Sequence, residues 1–239
     1  MTSSNIEIEV VQRYAKTAGV LLLLTIIAGF FGELYVPSKL VSREATATVA
    51  NITAHQLLFR LGFAAYLVEA CCDIALALLF YVLLKPVDKH LALLSAFFGL
   101  VSTSTFALTE LMYFSALPIQ RSLQSFTPDQ AAAVTQLFVK LYGIGSGVFM
   151  VFYGVATLLR GYMIYHSTYL PRILGALLAL AGIAFIIKSV TLVLAPAYSS
   201  DFLLAPVFLA TVTLTGWLLV RGVDVAKWEE IGRDKNVTW

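Results

Sequence analysis

The run YLVEACCDIALALLF, residues 66–80, is apolar enough to sit in hydrocarbon, yet it carries Glu69 and Asp73. Four residues apart on a helix, the two carboxyls share one face. Three further charges lie deep in apolar runs: Glu110, Lys140 and Lys188. Carboxyl and ammonium groups in such surroundings can pair with each other, hold a proton or bind a charged solute. Each costs about 2.5–3.5 kcal/mol at the centre of a bilayer, and the five together on the order of 10 kcal/mol if each faced lipid alone. They are therefore expected to face inward and to pair or neutralise.

Depth along the helices follows from a rise of about 1.5 Å per residue. Glu69 falls near mid-membrane and Asp73 about one turn further toward the cytoplasm. Lys140 and Lys188 fall in the outer half, and a lysine stem can carry either ammonium toward Glu69 or Glu110. The expected site is a buried cluster of Glu69, Glu110, Lys140 and Lys188, walled by Tyr66 and Tyr113 and open toward the outer side. Asp73 has no base at its depth, so protonation or a hydrogen bond to Ser or Thr of the third span is its expected state. Arg60 is expected to snorkel to headgroups, and Glu33 to lie at the interface.

Other chemistry has little to stand on. His55, His90 and His166 are too far apart for a common metal, and Cys71 and Cys72 point about 100° apart on a helix. No HExxH, GxSxG or phosphate-cradling loop occurs, so no catalytic residue, metal or cofactor is expected. GIGSG, residues 143–147, lies inside a span and reads as helix packing.

The elements that must position these groups are membrane helices. The 239 residues are 59% hydrophobic and only 13% charged, with mean hydropathy +0.86. The apolar residues fall in runs of about 20 or more, the length that crosses a bilayer. Six spans are expected, near 18–36, 54–84, 91–114, 129–165, 171–195 and 202–220, with a polar tail over 221–239. The fold class is all-α, a polytopic integral membrane protein forming one membrane domain over 1–239. Pro37 should open a polar loop, and the tail should form a short interfacial helix that frays. The first run is too long and too late for a cleaved signal peptide. Thr127, Pro128 and Gln130 form a capping box that starts the fourth span. Gly143 with Gly147, and Gly175 with Ala179, mark expected close helix contacts.

Lysine and arginine set the orientation. With the N-terminus inside, the inner segments hold Arg13, Lys16, Lys85, Lys89, Arg160, Arg172, Arg221, Lys227, Arg233 and Lys235, against Lys39, Arg43 and Arg121 outside. Both termini are expected to be cytoplasmic, in a bacterial inner membrane.

The segments RYAKTAGVLLLLTIIAGFFGE, NITAHQLLFRLGFAAYLVEACCDIALALLFYVLLKPVDKHLALL and YLPRILGALLALAG resemble the membrane family called domain of unknown function 4386. The resemblance spans most of the chain. It implies a small multi-span bacterial or archaeal protein and carries over no activity or catalytic residue.

Two functional readings stay open. The charged cluster could be a binding or transport site for a small solute or a proton. Alternatively, it could be a set of ion pairs that only holds the bundle together, in a structural or regulatory membrane component. An intramembrane enzyme would need a nucleophile or metal that the sequence does not offer. Membrane lipids are the expected surroundings, and nothing points to nucleic acid.

Overall fold

The computed structural model describes residues 3–122 and 127–234. Its elements are helices and turns, with no strand among the described residues. The helices are α1 (Ser3–Gly29), α2 (Val36–Leu40), α3 (Ala45–Ala54), α4 (Gln56–Leu84), α5 (Lys89–Ser122), α6 (Pro128–His166), α7 (Arg172–Leu194), α8 (Ala205–Val220) and α9 (Val225–Asp234). Among the described residues six stretches are long and apolar enough to cross a membrane: Glu9–Leu40, Gln56–Leu84, Lys89–Ser115, Asp129–His166, Arg172–Leu194 and Asp201–Val220. They follow the six predicted spans, and the protein is an all-α, multi-pass membrane protein. The end of the bundle where Gln12 of α1 meets Arg221 and Val223, just after α8, is here called the termini side.

The first span departs most from expectation. It does not stop at Pro37. A π-helical turn, Phe30–Tyr35, joins α1 to α2. Proline has no N–H to give, and its place in the first turn of α2, just after this widened turn, is where a helix tolerates that loss. The following segment is not an open polar loop either. It folds into α3, where Thr48 Oγ1 accepts from Ser42 N at 2.9 Å and Ile52 is fully buried one turn later. Val36, Leu40, Ile52, Phe59 and Tyr113 make a small core at this far side.

The capping box of α6 forms as expected. Gln130 N donates to Thr127 Oγ1 at 3.4 Å, and Thr127 N donates to Gln130 Oε1 at 3.0 Å.

α6 and α7 meet backbone to backbone through two glycine pairs. A Cβ on Gly154 would lie 2.8 Å from Gly182 O, and one on Gly161 would lie 2.8 Å from Gly175 O. Small residues permit this approach, and dispersion between the two backbones replaces a hydrophobic drive that lipid cannot supply. Gly175 and Ala179 belong to the seam, as their spacing suggests. Gly143 does not: no heavy atom of another element lies within 4 Å of its missing Cβ, and only Gly147 of that pair meets α7, at Leu192.

The termini side is tied together by hydrogen bonds to exposed backbone ends. Tyr169 Oη donates to Leu83 O at 2.7 Å, and Trp228 Nε1 donates to the same carbonyl at 2.9 Å. Gln12 Nε2 donates to Arg221 O at 2.9 Å while its Oε1 accepts from Val223 N at 3.1 Å. Between these two points Gly222 turns the chain at φ 69°, a backbone region that costs other residues strain. The described part of the tail is therefore docked rather than frayed, with Trp228 only 2% exposed. Lys235 lies outside the described residues.

Two measurements check this account. Replacing Gly161 by Leu should push α6 off α7 and lower stability by about 1–3 kcal/mol, read by thermal or denaturant unfolding in detergent. Burial also drives the Tyr169 hydroxyl upward from the ordinary tyrosine range. The folded state keeps a proton that the unfolded chain releases above about pH 10, so this contribution is full below that pH and is lost as pH rises past it. Unfolding midpoints followed into alkali should fall more steeply for the native chain than for Tyr169→Phe.

Candidate functional site

A cavity of about 330 Å³ lies among α1, α4, α5, α6 and α8, with Phe185 of α7 on its wall. Its acids are Glu33, Glu69 and Asp73. The helices deliver them for local reasons. Gly29 carries no side chain, so the Glu69 carboxyl lies against it, with Oε1 3.2 Å and Oε2 3.3 Å from where a Cβ would stand. In the π-helical turn, Gly32 lets the first span approach α4, where a Cβ would lie 3.0 Å from Gly62 O. The π-helical turn that begins after Gly29 carries Glu33, and the Glu33 and Glu69 carboxyls face each other across this seam. A pair of facing carboxyls holds a proton in common, or takes a cation in its place.

Glu69 is 9% exposed, and its Oε2 has no hydrogen-bond partner. Thr25 Oγ1, on the same wall, is also unpartnered. Buried polar atoms in this state are exceptions in folded proteins. The rest of the wall is largely aromatic. Phe106 packs tilted against Phe149, with 4.4 Å between ring centres, and edge-on to Tyr66 at 4.9 Å.

Below the cavity, toward the termini side, sits Arg160. It is 8% exposed, its Nε donates to Ser95 Oγ at 3.2 Å, and its guanidinium lies 4.9 Å from the Phe80 ring centre. Gly99 makes room for it, since a Cβ there would come within 2.9 Å of a guanidinium nitrogen. Its charge acts on Asp73 and Tyr153 without a direct ion pair.

The family model described as domain of unknown function (DUF4386) matches residues 17–222. The chain belongs to this family. An uncharacterized protein of Archaeoglobus fulgidus is 26% identical over 150 residues, 63% of this chain and 76% of that protein. No solved structure matches. The part of this DUF4386 protein matched by the family model contains every residue of the cavity wall.

The expected site residues are only partly brought together. Glu69 and Asp73 line the cavity. Glu110 is buried but does not line the cavity; Tyr142 is its near neighbour. Tyr66 and Tyr113 are buried, and neither hydroxyl has a hydrogen-bond partner. The lysines do not join them. Lys188 is buried, but its Nζ reaches Asp201 Oδ1 at 2.5 Å, because the turn Asp201–Leu204 folds over the end of α7. Lys140 is exposed on α6 and forms no ion pair among the described residues. Acid–lysine pairing is thus replaced by acids that face acids.

Two residues were misread. Glu33 is not simply interfacial; its position four residues after Gly29 could have placed it on the face that meets Glu69. Arg160, counted among the inner-side bases although it falls within the expected fourth span, is buried in the bundle. It supplies the base near Asp73 that seemed missing.

Coupling between Asp73 and Arg160 is measurable. Arg160→Met, Asp73→Asn and the double variant should give non-additive stability losses, with an interaction of about 0.5–3 kcal/mol in a double-mutant cycle.

Proposed function

We propose that this protein binds a proton or a small solute inside the membrane, at the acids of the central cavity, in the manner of a carrier site. The single observation that carries this reading is Glu69: a carboxyl nine-tenths buried, one oxygen unpartnered, facing Glu33 in an open cavity of about 330 Å³. An acid kept only to fix the bundle would be expected to face a base, since a buried carboxyl without a countercharge costs stability. The two ion pairs among the described residues, Lys188–Asp201 and Lys227–Asp224, lie outside the cavity, which weakens the purely structural alternative.

The lysine and arginine distribution supports a cytoplasmic (inner) membrane location with both termini cytoplasmic. Removing the buried Arg160 from the tally leaves nine inner bases against three outer ones. On this orientation the cavity acids of the first span and α4 lie in the outward and middle parts of the bundle. Membrane lipids surround it.

Dicyclohexylcarbodiimide, an apolar reagent that modifies protonated carboxyls in hydrocarbon, tests the reading. In nanodiscs it should attach to the peptide carrying Glu69 or to that carrying Glu33. Glu69→Gln should lose the first adduct while keeping its thermal unfolding midpoint. Modification confined to exposed acids such as Glu9 and Glu44 would sink the proposal.

A further inference from the structure

We propose that the ligand is a lipophilic organic cation, an ammonium with a small apolar body, which enters from the lipid between α1 and α8. This rests on the binding site proposed above and adds the class of solute and its route.

Charge selects the sign. Glu33, Glu69 and Asp73 line the cavity, and no lysine or arginine does. Lys188 is held by Asp201, and Arg160 is anchored on Ser95 and the Phe80 ring, outside the cavity wall. An anion would meet three acids and no countercharge on the wall, whereas a cation would find Glu69 Oε2 without a competing base.

The wall selects the body. Phe106, Phe149, Phe185 and Phe208 face the space. Aromatic faces attract a cation, and most strongly one that has shed its water. A bare metal ion fits poorly. Among the described residues no three acids, histidines or cysteines converge closely enough to hold one, and hard cations need about six or more oxygen ligands. A volume of about 330 Å³ stands at the low end of organic-ligand pockets.

The mouth selects the route. Phe30 and Leu34 of the first span and Phe208 of α8 line the cavity while remaining 62%, 62% and 65% exposed. Within membrane spans such exposure faces lipid. Toward the termini side the same two helices close up: a Cβ on Gly19 would lie 3.0 Å from Leu219. The cavity thus opens sideways at the far end of a seam that is shut at the other. A solute that partitions into the bilayer reaches Glu69 without crossing headgroups.

The test uses the whole protein in nanodiscs with two probes of one shape. The first is trimethyl(4-phenylbutyl)ammonium, and the second is its neutral isostere with carbon in place of nitrogen. Carbodiimide modification of Glu69 is followed with and without each. The expected result is protection by the cation and none by the isostere. Direct binding of the radiolabelled cation should weaken by about tenfold or more in Glu69→Gln, the size expected for one lost charge-assisted contact. Wild-type protection needs no variant, and Glu33→Gln gives a second one should Glu69→Gln misfold. If Glu69 is modified but neither probe protects it, the cation is overturned and the reachable acid site stands. Equal protection by both probes overturns the cation in favour of an apolar ligand. No modification of Glu69 or Glu33 at all overturns both, since the seam is then shut to solutes from lipid.

Discussion

Everything in this bundle is arranged around the cost of placing charge in hydrocarbon. Water cannot be called on to solvate a carboxylate or guanidinium there, so each such group must find a partner, share a proton or face a cavity. The protein uses all three answers. Lys188 takes Asp201, Arg160 takes Ser95 and an aromatic face, and Glu69 faces Glu33 beside an open space. The first two answers are complete. The third leaves an oxygen unpartnered, and function is read from that difference.

Glycine makes these placements possible in two distinct ways. In α6 and α7 it lets backbones touch, giving a rigid seam through Gly154, Gly161, Gly175 and Gly182. At Gly29 and Gly99 it leaves room for a charged head instead of a helix. The second use is the more informative. A side chain at Gly29 would crowd the Glu69 carboxyl, and one at Gly99 would crowd the Arg160 guanidinium. The packed termini side, with Trp228 and Tyr169 both bound to Leu83 O, holds one end of the bundle fixed. The cavity and its lateral mouth occupy the other half of the α1–α8 seam, where no comparable latch joins the two helices among the described residues.

Much of the frame was legible in the sequence, because the physics that sets it is local. Run length against bilayer thickness gives six spans, and Thr127 with Gln130 gives the start of α6. The inward turn of Glu69, Glu110 and Lys188 follows from the cost of exposing them to lipid.

Pairing was decided by tertiary structure. Helical spacing tells which residues share a face, but it cannot tell which face of a neighbouring helix will meet them. Lys188 could reach toward Glu69 or Glu110 by depth alone, yet the turn after α7 brings Asp201 within 2.5 Å first. Glu33 looked interfacial until a π-helical turn carried the first span past Pro37 and aimed it at Glu69. Arg160 counted only as an inner-side base until the packing of α6 against α5 buried it beneath Asp73. Local energies determined that these charges must be buried; only the docking of six helices determined which of them would be left facing a cavity instead of a partner.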